Sequence, residues 1–290
     1  MRAFLTYGSY RLIGGLAGHL PPQIGYWMAG RVGHLLYTLS PRLKRVLTYN
    51  MRHVLGPYAS DSQVQAVVRQ ACVNITKGHY DLFRVGRLSA DAIKDMVRVE
   101  GWEHLEQALA QGRGVIVISA HFGNMDVVMQ VPVVRGLPAT APVQRIQPER
   151  LFRYTLRLRK SHGLKMIPSD QPMIGLIRAL KRGEIIGLTC DRDVSDNDHA
   201  VDFFGSPTRL PDGPVRVALR TGAVMLPAFA LRLPDNSFLI QIEPPLDLPQ
   251  TGDREADVAA GMERVVATAE RHIAKNPEQW LVAAPVWPMD

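Results

Sequence analysis

Only two cysteines occur in 290 residues, Cys72 and Cys190, and they form no CxxC pair. That excludes a disulfide framework and a cysteine-rich zinc site, and it fits a chain kept in a reducing compartment. Cys190 ends the apolar run IIGLTC and reads as a small buried hydrophobe. Aromatic residues make up only 7% of the chain, yet hydrophobic residues reach 46%, enough for a large core and too many for general disorder. Negative charge is missing from one region altogether. Residues 1–60 contain no Asp or Glu, but they contain Arg2, Arg11, Arg31, Arg42, Lys44, Arg45 and Arg52. Residues 61–290 balance 27 basic against 27 acidic side chains, so the formal net charge of +7 belongs to the first sixty residues.

A clean hydrophobic run is lacking too. The longest uncharged stretch of the basic region, residues 12–30, has the length of a membrane span. It also carries His19, Gln23, the pair Pro21-Pro22 and five glycines, and the proline pair breaks a helix in its middle. The segment is therefore expected to lie on a membrane rather than cross it. Its basic residues are interleaved with Phe4, Tyr10, Leu12, Ile13, Trp27, Leu35 and Leu39. That mixture suits interfacial amphipathic helices on an anionic membrane surface, with a solvated helix face as the plainer alternative. No zinc-finger, RNA-recognition or basic-zipper pattern supports nucleic acid as a partner, and no apolar core with a small-residue cleavage site marks a signal peptide. Residues 1–60 are thus expected to form membrane-docking helices, and residues 61–290 the main domain.

Helical periodicity covers 22–55 with a break at Ser40-Pro41, and 61–87 with Asp61 or Ser62 as N-cap. Further helices are expected near 103–111, 124–135, 148–161, 171–182, 214–221 and 254–275. VIVIS (115–119), ATAPV (139–143) and EIIGLTC (184–190) read as buried strands. AVMLPAFAL (223–231) and SFLIQIE (237–243) read as an antiparallel pair across Pro234-Asp235-Asn236. The segment 191–212 is expected to be loop-rich. Strands alternating with helices predict an α/β fold with a mixed central sheet.

Several chemistries lack their parts. There is no GxSxG elbow, no GxxxxGK[ST] loop, no GxGxxG after a strand, and no HExxH or Cys/His cluster for a metal. What is present is a histidine just past a buried strand: VIVIS leads into Ala120-His121-Phe122-Gly123-Asn124-Met125-Asp126. Open α/β sheets place their sites at strand carboxyl ends. A tight turn would let Asp126 fold back on His121, giving a general base and the carboxylate that orients it. With no enzyme nucleophile in sight, direct attack by a substrate hydroxyl on an activated acyl group is favoured.

HFGNMD resembles the HxxxxD block of the glycerolipid (lysophospholipid) acyltransferases. In detail it resembles the HFGNW(E/D) form of the bacterial lipid A biosynthesis lauroyl/myristoyl acyltransferases and the related phosphatidylinositol mannoside acyltransferases. Supporting blocks are Asp191-Arg192-Asp193, Phe203-Phe204-Gly205, Leu210-Pro211-Asp212-Gly213-Pro214, Thr221-Gly222-Ala223 and the closing NPEQWLVAAPVW (276–287). The resemblance implies a peripheral enzyme at the cytoplasmic face of the cell membrane. It would move a fatty acyl chain from acyl-CoA or acyl carrier protein to a hydroxyl of a glycolipid or lysophospholipid, without metal or further cofactor. It implies His121 as base and Asp126 as its orienter, with Gly123 and Asn124 backbone N–H groups or an arginine as oxyanion donors. Arg145 and Arg159 match family arginines suited to phosphate, and Asp191 and Arg192 would line the same cleft or pair internally. Arg150, Arg153, Arg157 and Lys160 read equally well as phosphate ligands or as a solvated helix face. Phe203 and Phe204 are expected to pack around an acyl groove. Met125 stands where the lipid A branch usually has Trp, and Asp126 where many members have Glu, which leans toward the mannoside branch. A lipid-binding homologue without activity and an acyl thioesterase are the competing readings.

Overall fold

The computed structural model describes residues 2–192 and 198–289, with side chains from residue 7 onward. Asp193 and the side chains of Arg2, Phe4 and Leu5 lie outside the described residues. The chain opens with four helices, α1 (Arg2–Ala17), α2 (Pro22–Leu39), α3 (Pro41–Leu55) and α4 (Asp61–Val85), then α5 (Ala90–Met96) and strand β1 (Val97–Glu100). The order continues α6 (Trp102–Ala110), β2 (Val115–Ser119), α7 (Met125–Val128), α8 (Val131–Val134), β3 (Ala139–Val143), α9 (Glu149–Arg159), β4 (Lys165–Pro168), α10 (Ile174–Lys181) and β5 (Ile185–Thr189). A hairpin follows, β6 (Asp198–Phe203) and β7 (Ser206–Pro211), then α11 (Gly213–Thr221), β8 (Val224–Arg232), β9 (Phe238–Ile242) and α12 (Arg254–Lys275).

Seven strands form the central sheet in the order β1-β9-β8-β2-β5-β3-β4. Every neighbouring pair is parallel except β8–β9, so the sheet is mixed, as expected. Alternation along the strands feeds two cores. Ile116, Ile118, Ile186 and Met225 face α4, α10, α11 and α12, whereas Val115, Ile185, Leu226 and Ile240 face α5, α6 and α8. Burial on both faces is why VIVIS and IIGLT are continuous apolar runs rather than alternating ones.

Three local expectations are corrected. The cap of α4 is Ser60, one residue before the expected Asp61: its hydroxyl accepts from the Gln63 N–H while Gln63 Oε1 accepts from the Ser60 N–H, a reciprocal capping box. The helix expected over 124–135 is split into α7 and α8, with Pro132 in the first turn of the second. The loop-rich 191–212 contains the β6–β7 hairpin, turned at Phe204 and Gly205, both with positive φ.

The first two helices pack along α4. At Gly33 a Cβ would stand 2.5 Å from Val73 Cα, so only glycine lets α2 approach so closely. Their outer faces leave Leu12, Ile13 and Leu16 of α1 and Ile24, Trp27, Met28, Val32, Leu35 and Leu39 of α2 exposed, Leu12 to 66% and Trp27 to 63%. Among the described residues no helix is long and apolar enough to cross a membrane. α3 faces inward instead, with Leu47 and Met51 fully buried in the main core.

Candidate active site

Parallel pairing builds the site. β2 and β5 are neighbours with Ser119 opposite Thr189, and the Cys190 N–H donates to the Ser119 carbonyl at 2.9 Å. Two residues beyond each strand stand His121 and Asp191, now side by side. His121 Nδ1 lies 2.9 Å from Asp191 Oδ1, and the His121 backbone N–H donates to Asp191 Oδ2 at 2.8 Å. Trp280 Nε1–H donates to the same Oδ2 at 2.6 Å. An ionised carboxylate only accepts, so Nδ1 carries the proton and Nε2 keeps the lone pair.

Asp191 is fully buried, whereas the His121 side chain is 37% exposed and opens to the cleft. Burial alone would raise the Asp191 pKa, but the charge of His121 and the hydrogen bonds from its ring, Trp280 and the His121 backbone hold it below the usual range. Desolvation by itself would lower the imidazole pKa, and the charge and hydrogen bond of Asp191 outweigh this, leaving it above its ordinary value.

Asp126 therefore does not orient His121. Its Oδ1 accepts from Arg159 Nε at 2.6 Å. The reason is local: the Asn124 side chain accepts from the backbone N–H groups of Asp126 and Val127 and so starts α7. Asp126 then stands in the first turn of that helix and pairs with α9. Gln130 Nε2 ties the pair together by donating to the carbonyls of Asp126 and Arg159.

The other expected residues divide. Arg159 and Arg192 line the cleft with His121. Arg145 does not: it bridges Glu149 and Asp170 at the surface, 2.9 Å to each. Asp191 forms no internal pair with Arg192. Gly123 turns with φ of 63°, and a Cβ there would come within 1.7 Å of the Ala230 carbonyl oxygen. Its N–H donates to the Gln279 carbonyl at 2.8 Å, which removes it from the expected oxyanion donors. Phe203 is packed with Trp280 and Trp287 in the main core and lines neither the apolar cavity nor the cleft at His121.

Residues missed in the sequence complete the site. The loop after α12 braces the His121 turn: the Leu281 N–H donates to the His121 carbonyl at 2.8 Å. Behind Asn124 lies a buried polar cluster. Asn124 Nδ2 donates to Asp81 Oδ2 at 2.6 Å, Tyr26 OH donates to Asp81 Oδ1 at 2.5 Å, and Arg232 pairs with the same carboxylate. Tyr10 of α1 lines the cleft, its phenol pushed up to about 12 by burial and then by the charge of Asp126. The one sequence signal for these residues was the closing NPEQW block.

Two adjoining polar cavities share His121, Asp126 and Arg159. A third, apolar cavity runs under the sheet between Trp102, Val117, Ile185 and Ala228, and it meets the polar space at Met125, Met129, Gly187 and Leu188. The His121–Asp191 pair thus stands in a cleft that borders an apolar cavity and is lined by Arg192 and by Arg159, which is paired with Asp126.

Residues 4–287 match the family model described as bacterial lipid A biosynthesis acyltransferase. The chain belongs to that family. It is 31% identical over 196 residues to a phosphatidylinositol mannoside acyltransferase of Mycobacterium tuberculosis (strain CDC 1551 / Oshkosh), a match covering 66% of this chain and 60% of that relative. The counterpart of the same name from Mycolicibacterium smegmatis is 28% identical over 248 residues, covering 84% and 79%. A lipid A biosynthesis lauroyltransferase of Escherichia coli (strain K12) is 24% identical over 274 residues, covering 92% and 86%. The acyltransferase-family blocks quoted from the sequence converge in space: HFGN and PEQW meet at an isolated bridge between Phe122 and Trp280.

Proposed function

We propose that this protein transfers a fatty acyl chain from a thioester donor, acyl-CoA or acyl carrier protein, to a hydroxyl of a membrane glycolipid or lysophospholipid. The observation that carries the reading is the His121–Asp191 pair in a cleft that Arg159 and Arg192 also line, bordered by an apolar cavity. The apolar cavity suits part of an alkyl chain, which gains about 0.8 kcal/mol for each CH₂ buried. The thioester carbon then lies in the adjoining cleft, beside His121.

His121 Nε2 takes the proton of the acceptor hydroxyl as that oxygen attacks the thioester carbonyl. Asp191 holds the tautomer and stabilises the imidazolium formed. Collapse of the tetrahedral intermediate breaks the C–S bond, and the imidazolium returns its proton to the leaving thiolate. Arg159 and Arg192 supply positive charge beside the reacting centre, and Asp126 serves as the positioning partner of Arg159. No metal or further cofactor enters this scheme. The exposed apolar face of α1 and α2, with the basic residues of the first sixty, docks the protein peripherally on an anionic membrane at its cytoplasmic face.

Incubation with acyl-CoA or acyl carrier protein thioester and a total lipid extract tests the reading, with mass spectrometry of products. A new acyl ester on a lipid supports it. Free fatty acid formed without a lipid acceptor would identify a thioesterase, and binding without thioester loss a lipid-binding protein. His121→Ala is expected to lower transfer by about 10²–10⁴-fold while the fold persists. Undiminished transfer by the folded variant overturns the mechanism.

A further inference from the structure

A second basic cavity lies apart from the catalytic cleft, at the root of the N-terminal helices. α1 roofs it with Arg11, the last turn of α4 and the residues just after it wall it with Phe83 and Arg87, and α9 floors it with Arg153 and Arg157. Arg150 also lines it. Five guanidiniums converge on one space. Glu149 pairs with Arg153 at 3.1 Å, but among the described residues Arg11, Arg87 and Arg157 have no carboxylate within ion-pair distance. Tyr154 stands among them: burial raises its phenol, and the charges of Arg87, Arg11 and Arg157 oppose the rise. Arg11, Arg87 and Arg157 are exposed around this space, so an anion entering it meets concentrated positive charge.

The cavity is separated from the His121 cleft by one aromatic layer. Tyr10 contacts Phe83 edge-on at 5.0 Å between ring centroids and Tyr154 at 6.3 Å, and Tyr10 lines the cleft while Phe83 and Tyr154 line the basic cavity. On its outer side the roofing helix presents exposed Leu12, Ile13 and Leu16. A phosphate held here would sit next to the apolar face of α1, at the depth where lipid headgroups lie when that face is immersed.

We propose that the cavity formed by Arg11, Arg87, Arg150, Arg153 and Arg157 is a phosphate-binding site for the headgroup of an anionic phospholipid, an inference that rests on the membrane-docking reading of α1 and α2. Arginine suits the task because its planar fork meets phosphate oxygens two at a time. The three arginines of α9, which read in the sequence equally well as phosphate ligands or as a solvated face, thereby gain a ligand. The site anchors the roof of the catalytic cleft, because Tyr10 belongs to the same helix as Arg11.

The test uses the full chain without any acyl donor, so failure of the transfer mechanism moves neither readout. Cosedimentation with phosphatidylcholine vesicles, with and without phosphatidylglycerol, is compared for the unsubstituted protein, for R87Q/R157Q, and for the charge-matched pair R31Q/R42Q on exposed positions of α2 and α3. The cavity pair is expected to lose about tenfold or more of its affinity for the phosphatidylglycerol vesicles, and clearly more than the control pair. Equal losses overturn the site and leave only diffuse charge.

Should the cavity pair fail to fold, phenylglyoxal modification of the unsubstituted protein decides. Glycerol 3-phosphate is expected to protect Arg87 and Arg157 but not Arg31 or Arg42. Protection of none of them overturns the proposal, and protection by coenzyme A but not by glycerol 3-phosphate overturns the lipid as source. Protection of Arg87 and Arg157 without any vesicle binding would leave the site standing and remove the docking reading instead.

Discussion

Asp191 and Asp126 make opposite predictions at the level of single residues. Asp191 touches the imidazole, so Asp191→Asn presents an amide that fixes the wrong tautomer or no tautomer. Transfer is expected to fall by about 10²–10⁴-fold. Because Asp191 holds the imidazole pKa above its ordinary value, activity of the unsubstituted protein should rise with pH through an inflection above that value, where the base loses its proton. In Asp191→Asn that inflection should move to lower pH. Asp126→Asn touches only Arg159, so it should lower the rate while leaving the inflection in place. Rate–pH profiles of the two variants check this, and a shift in Asp126→Asn alone would restore Asp126 as the orienting group. Stability carries a matching sign. The Asp191 pKa is depressed in the folded state, so its contribution is present above the ordinary carboxylate range and is lost as pH falls through the depressed value. The His121 pKa is raised, so its contribution is full below the ordinary imidazole value and fades as pH rises through the folded one.

Elements explain why Asp126 was the natural choice in the sequence and Asp191 the outcome in space. Buried parallel strands announce themselves as apolar β-branched runs, so β2, β3 and β5 were legible, and so was the break between α2 and α3 at Ser40-Pro41. Strand adjacency leaves no such mark. His121 and Asp191 are 70 residues apart and meet only because β5 lies directly beside β2. The β6–β7 hairpin was hidden by Pro207 and Pro211, which argue against a strand unless it lies at an edge, as β7 does in its two-stranded sheet. Arg145 fitted a family position but met Glu149 and Asp170 nearby, which no motif foretells. The same non-locality holds the buried cluster that joins α2, α4, β8 and the turn after His121 through Tyr26, Asp81, Arg232 and Asn124. Asp81→Ala would leave Arg232 charged and unpaired in the interior, destabilising the fold by about 3–5 kcal/mol. Tyr26→Phe removes the hydrogen bond donated to Asp81 and the longer one accepted from Arg84 at 3.2 Å, and should destabilise the fold by about 1.5–3 kcal/mol. Chemical denaturation of both variants checks the order. Comparable small losses would mean that the cluster is solvated and does not support the turn.

The asymmetry of charge becomes an asymmetry of surface in the whole molecule. Acidic residues are absent from the first sixty positions, and there α1 and α2 leave their apolar side chains in solvent while α3 turns inward to the core. Among the described residues no helix is long and apolar enough to cross a bilayer, so the proposed docking combines shallow apolar insertion with attraction to anionic lipid. The two contributions separate experimentally. Attraction is screened by salt, with a range of about 8 Å at physiological ionic strength, whereas insertion is not. Trp27 reports insertion directly, because it is 63% exposed on the outer face of α2, while Trp280 and Trp287 are buried in the core and Trp102 is half-buried on α6 under Arg135. Anionic vesicles should shift the tryptophan emission to shorter wavelength, and Trp27→Phe should abolish the shift. Trp27→Ala should weaken binding by roughly tenfold, the loss of a large apolar side chain from the interface. Raised salt should weaken binding of the unsubstituted protein and of Trp27→Ala by the same factor, since the substitution removes no charge. An emission shift that survives in Trp27→Phe, or binding indifferent to both salt and anionic lipid, would mean that α1 and α2 are a helical layer covered by something other than a membrane.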